Sequence, residues 1–136
     1  MVSVAGAISA ISNEKALSLF KAIALSQKND TDILITKLRL NRNQFYSIVK
    51  KLIDADLVKR INGKYRLTSF GKVIFSAQQK VEAEIETAIK YYLKLKAIDS
   101  IMISVDKTDI SAEECQMIID KLIDNYEIKA ILVSNK

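Results

Sequence analysis

Histidine, proline and tryptophan are missing from this 136-residue sequence, cysteine occurs once, at Cys115, and glycine occurs three times. Without His, neither a Ser-His-Asp triad nor a Cys-His pair can be assembled, and a zinc site of Cys and His ligands is excluded as well. One Cys cannot form an intramolecular disulfide, which fits a reducing compartment. No apolar run approaches the ~20 residues that a membrane-spanning helix needs. Only carboxylate or lysine chemistry would remain for catalysis, and no convergent set of such residues appears. The expectation is therefore a non-enzyme, without cofactor or metal.

What is present is a chain that is 49% apolar and 27% charged, enough for one domain or a small domain with a long appendage. Residues 1–12 carry no charge. They include Val2, Val4, Ala7, Ile8 and Ile11, but lack the basic residues that precede the core of an export signal. This segment reads as a strand or helix packed on the body or on a partner subunit, and the expected location is cytoplasmic.

Net charge is +5, with a change of sign along the chain. Residues 13–75 hold 13 Lys or Arg and five acidic residues; residues 76–136 hold eight and 11. A basic half followed by a mildly acidic one suggests a polyanion-binding module joined to a segment with another task.

The basic half has a readable order. Ala16, Leu17, Phe20, Ile23 and Ala24 follow helical spacing, predicting a helix over about 13–26 with Ser12 or Asn13 as cap. The polar run 26–30 ends it. Asp30 or Thr31 then caps a short helix carrying Ile33, Leu34 and Leu38, which stops near Arg39-Leu40. Asn41 caps a third helix, about 42–55, with Phe45, Ile48, Val49, Leu52 and Ile53 on its inner face. At 100° per residue the opposite face centres on Asn43, Ser47 and Lys50, flanked by Arg42, Tyr46 and Lys51. That face lacks a carboxylate until Asp54. Amides, hydroxyls and cations are what a helix presents to base edges and phosphates in a major groove.

Two short strand-favouring runs follow, Leu57 to Ile61 and Lys64 to Leu67, joined by Asn62-Gly63. Asn-Gly supplies the two positive-φ positions of a type I′ hairpin turn. Lys59, Arg60, Lys64 and Arg66 make the hairpin basic, while Val58, Ile61, Tyr65 and Leu67 offer apolar surface for docking. Thr68 caps a further helix.

The order helix, short helix, turn, polar-faced helix, Asn-Gly hairpin and Tyr-x-Leu-Thr-x-x-Gly exit (Tyr65, Leu67, Thr68, Gly71) resembles a winged helix-turn-helix domain. It is similar to the small archaeal transcriptional regulators of the broad MarR, PadR and ArsR-like group, over about residues 12–96. The resemblance implies a reading helix in the major groove and a wing on backbone or minor groove. On that footing the DNA-contacting set is Arg42, Asn43, Tyr46, Ser47, Lys50 and Lys51 with Arg60, Asn62, Lys64 and Arg66 of the wing. The sequence departs from the pattern at Asp56, where such domains carry Gly.

From Thr68 to about Lys96 the pattern stays helical, and Ile74, Ala77, Val81, Ile85, Ala88, Tyr92 and Leu95 recur at near-heptad spacing. A helix of this length spans ~40 Å at 1.5 Å per residue. It reads as a dimerisation helix whose seam meets a second copy; the competing reading packs the seam inside the chain. The expected organisation is thus an apolar extension (1–12), a winged helix-turn-helix (13–75), then a dimerisation helix and helical tail (76–136). The expected fold class is mainly α with a small β-hairpin wing.

In the tail, Ile98, Ile101, Met102, Ile103 and Val105 end the long helix or form a strand, with helices preferred. Ser111 and Glu114 form a capping box ahead of a helix through Cys115, Ile118, Ile119, Leu122 and Ile123, which Asn125 ends or bends. Glu113 and Glu114 oppose thiolate formation at Cys115, so a core role is preferred over redox sensing. The acidic run Asp106, Asp109, Glu113, Glu114 lacks the spacing and Gly of a calcium loop and reads as a solvated turn. The expected function is a dimeric, sequence-specific regulator that binds double-stranded DNA. The alternative is a winged-helix adaptor that docks on a protein of the transcription apparatus.

Overall fold

The computed structural model describes residues 2–105 and 111–134. Among these the protein is mainly helical, with eight helices and one antiparallel hairpin. In chain order they are α1 (Val4–Ala10), α2 (Glu14–Leu25), α3 (Thr31–Leu38), α4 (Arg42–Asp54), β1 (Val58–Ile61), β2 (Lys64–Leu67), α5 (Ser69–Lys90), α6 (Tyr92–Val105), α7 (Ala112–Leu122) and α8 (Tyr126–Ser134). Contacts divide the chain into two compact units, Met1–Lys80 and Val81–Lys136. No described helix is long and apolar enough to cross a membrane.

The first unit is built from local signals that agree with its packing. The uncharged N-terminus forms a helix, α1, capped by the Ser3 hydroxyl accepting from the Gly6 N–H at 2.9 Å, and it buries Ala7 and Ala10. Asn13 caps α2 through the Ala16 N–H at 2.8 Å. α2 buries Leu19, Phe20 and Ile23 against Leu34 of α3, Phe45, Val49 and Leu52 of α4, and Val58 and Tyr65 of the hairpin. Edge-to-face ring pairs tie these elements together, Phe45 with Tyr65 at 5.6 Å and Phe20 with Phe75 of α5 at 5.9 Å. Phe20 and Phe45 are fully buried, and each contributes roughly 1.5–3 kcal/mol. Three expected core positions are exposed instead: Ile33 and Ile53 on their helices, and Ile61 on the hairpin face opposite Val58 and Tyr65.

The second unit has its own smaller core of Tyr91, Ile98, Ile119 and Ile123, with Leu95, Met102, Leu122, Ile128 and Leu132 packed around it. All of its described elements are helical, which settles the tail as helix rather than strand. The expectation of one continuous helix to about Lys96 is corrected. α5 stops at Lys90 and α6 starts at Tyr92, with the Tyr91 N–H shared between the Thr87 and Ala88 carbonyls at 3.3 and 3.2 Å. That mixed bonding tightens the turn where Tyr91 is drawn into the second core. Asn125 is likewise reassigned: α7 ends at Leu122, and the Asn125 side chain accepts from the Ile128 N–H at 3.0 Å as the cap of α8.

Candidate nucleic-acid interface

α4 is anchored at its start by a reciprocal capping box. The Asn41 side chain accepts from the Gln44 N–H at 2.8 Å, and the Gln44 side-chain oxygen accepts from the Asn41 N–H at 3.2 Å. The turn before it uses Arg39 in the left-handed region, φ 55°, with the Leu40 N–H reaching back to the Ile35 carbonyl at 3.1 Å. Leu40 is buried there, which fixes how α3 leads into α4. Because Phe45, Val49 and Leu52 point into the core, the opposite face is committed to solvent. Arg42, Asn43, Tyr46, Ser47, Lys50 and Lys51 are all exposed, as the helical arithmetic requires.

Hairpin geometry follows from its turn. Asn62 and Gly63 both take positive φ, 52° and 76°, and the register pairs Val58 with Leu67, Lys59 with Arg66, Arg60 with Tyr65 and Ile61 with Lys64. Cross-strand partners share a face and successive residues alternate. Val58, Leu67 and Tyr65 therefore face inward, and Lys59, Arg66, Ile61 and Lys64 face out. Arg60 belongs to the Tyr65 face, with its guanidinium 5.6 Å from the ring centroid. The four hairpin cations thus form two groups, three on the outer face and Arg60 at the inner edge. Asn62 is exposed at the tip.

Residues 26–30 end α2 and supply Asp30 as the N-cap of α3, and they also hold the hairpin. Asn29 is 2% exposed and donates from Nδ2 to the Ile23 and Ser26 carbonyls at 3.0 and 2.7 Å. Its own carbonyl accepts from the Tyr65 N–H at 3.0 Å, and Asp30 forms a β-bridge with Lys64. The hairpin is thereby held to the α2–α3 turn by a third short extended segment. The exit motif also gains a physical reading. The Thr68 hydroxyl donates to the Asp56 carbonyl and accepts from the Gly71 N–H at 2.8 Å, and the Thr68 N–H donates to the Leu57 carbonyl at 3.1 Å. Asp56 adopts φ 61°, the left-handed conformation that Gly would take more readily.

One residue missed at the candidate surface is Asp32. Its carboxylate lies 2.9 Å from Arg42 Nη2, so the basic face of α4 meets an acid supplied by α3. The sequence signal, Asp at the second position of a capped helix, is equally that of an ordinary first-turn acid. Glu14 and Lys15, at the start of α2, also line a shallow cleft with Gln44, Ser47 and Lys51, adding one carboxylate and one cation beside α4.

Of the expected seam, Ile74 packs on the first core and Leu95 on the second, so these two are used within the chain. Ala77, Val81, Ile85, Ala88 and Tyr92 are exposed, as are Val73 and Ile89 beside them. In the second unit the Tyr91 hydroxyl donates to Asp124. That bond raises the tyrosine above its ordinary range and lowers the carboxyl below its own, with Lys94 and Lys90 adding to the latter. Cys115 is half-buried. Among the described residues no group of three or more acidic or Cys side chains is placed to hold a metal, and Asp106 and Asp109 of the acidic run lie outside those residues. The chain matches no family model, no curated protein and no solved structure.

Proposed function

We propose that this protein is a dimeric, sequence-specific regulator that binds double-stranded DNA through a winged helix-turn-helix. α4 is the reading helix and the β1–β2 hairpin the wing. The observation that carries the reading is the solvent face of α4. It presents Asn43, Tyr46, Ser47 and Lys50 on a helix whose other face is locked by Phe45, Val49 and Leu52. Asn reads adenine, Arg and Lys read guanine, and hydroxyls serve either bases or phosphates. The outer face of the hairpin adds Lys59, Lys64 and Arg66, which suit phosphate contacts that position the helix. The bridge between Asp30 and Lys64 supports the same reading, because it holds the hairpin beside the helix pair.

The test is anisotropy of labelled pooled duplex across a salt series. Log affinity should fall with log salt at about 0.9 per phosphate neutralised. Against a selected site, Lys50→Ala should relax base preference, whereas Lys64→Ala should weaken all sequences alike. Absence of duplex binding at low salt would overturn the proposal and favour the protein-docking adaptor.

A further inference from the structure

We infer that Asp32 is a specificity-determining residue that positions the Arg42 guanidinium for base reading. The inference rests on the DNA-binding reading of α4. Arg42 is the first residue of α4 and Asp32 lies in the first turn of α3, ten residues earlier. The two side chains meet at 2.9 Å while 65% and 80% exposed. A pair this open to water contributes little to stability, and a first-turn acid serves the dipole of α3 without a partner from α4, so the contact with Arg42 is left to explain. It is also unfavourable for general affinity, since a carboxylate at a polyanion-binding surface repels every phosphate alike.

Its geometry has another use. A guanidinium carries five N–H donors in a rigid plane, and bidentate guanine reading needs two of them in one orientation. Asp32 Oδ1 engages Nη2 and restricts the rotamers of a long side chain, leaving the remaining donors for a base. Holding Arg42 before the complex forms removes an ordering cost from the specific complex. In misaligned complexes the same carboxylate stays close to phosphate and discriminates against them. Asp30, the N-cap of α3, makes no side-chain cap bond, and Asp32 is the acid in the first turn of that helix.

The experiment compares wild type, Asp32→Asn, Arg42→Ala and the double variant on a selected duplex and on the same duplex changed at one guanine position at a time. The expected result is a loss of about two- to fivefold in the affinity ratio at one guanine for Asp32→Asn, with random-duplex affinity unchanged or higher. Arg42→Ala should lose preference at the same guanine, and the double variant should lose no more than Arg42→Ala alone. A uniform gain in affinity for all duplexes with the ratio preserved would overturn the inference, leaving Asp32 as plain repulsion. Lack of salt-dependent duplex binding by wild type overturns the DNA reading itself, and this inference with it. Unchanged circular dichroism of Asp32→Asn separates either result from misfolding.

Discussion

At the scale of single residues, two neighbouring backbone positions make opposite demands. A Cβ added at Gly71 would sit 2.0 Å from the Leu57 carbonyl oxygen and 2.9 Å from its carbon, both main-chain atoms. Ala normally favours a helix over Gly by about 1 kcal/mol. Here the sign reverses, because α5 must move away from the hairpin exit to admit the methyl group. Gly71→Ala should therefore lower stability by about 1–3 kcal/mol, read as a reduced urea midpoint. A midpoint equal to or above wild type would show that α5 does not approach Leu57 so closely. Asp56 presents the converse case, since its φ of 61° is one that Gly adopts at no steric cost. The Thr68 hydroxyl bonds the Asp56 backbone carbonyl, which the substitution keeps. Asp56→Gly should raise stability by up to about 1 kcal/mol, part of the relief being offset by the freer unfolded chain.

At the scale of elements, what could be read from the sequence divides by the distance over which each signal acts. Helices α2, α3 and α4 and the hairpin were legible because their determinants are local: Asn13 and Asn41 cap their own helices, and Asn62-Gly63 dictates its own turn, whereas residues 1–12 stayed open between strand and helix. The solvent face of α4 was legible for the same reason, as helical periodicity needs no tertiary partner. Asp32 was not, because its role depends on a guanidinium from another helix. The separation of Arg60 from the other hairpin cations emerges once the register is fixed. The break at Tyr91 was hidden more deeply, since the hydrogen-bond partner of its hydroxyl, Asp124, lies 33 residues away. That pair makes a pH prediction. Asp124 titrates lower in the folded chain than unfolded, so its contribution is fully present above the ordinary carboxyl value of about 4 and is lost as pH falls from there through the lower folded-state value. Tyr91 titrates higher when folded, so its contribution is present below about 10 and is lost as pH rises beyond. The thermal-midpoint difference between wild type and Tyr91→Phe should be largest at about pH 5–9 and shrink on both sides. A difference independent of pH would remove the Tyr91–Asp124 bond as the fastening of this unit.

At the scale of the whole molecule, the unspent feature is the apolar row on α5. Ile85 is 53% exposed, Ile89 67% and Val81 52%, with Ala77 and Ala88 also in solvent. Scattered apolar residues on a surface need no explanation, but a row recurring along one helix is the pattern of a partner surface. Since Ile74 and Leu95 are packed within the chain, the proposed contact is shorter than the full seam and centres on Val81 and Ile85. A two-fold dimer of the proposed DNA-binding chain would carry two copies of α4, which suits a palindromic site. Light scattering at micromolar concentration should then give about twice the 15.3 kDa chain mass. Val81→Asp combined with Ile85→Asp should return the mass to a single chain with helical content retained, because neither side chain belongs to either core. On a palindromic site the monomeric variant should lose affinity steeply, while a single half-site should bind it as wild type does. A wild-type mass near 15.3 kDa would end the dimer proposal and, with it, the expectation of a palindromic operator, leaving the α4 face to be tested on single sites alone.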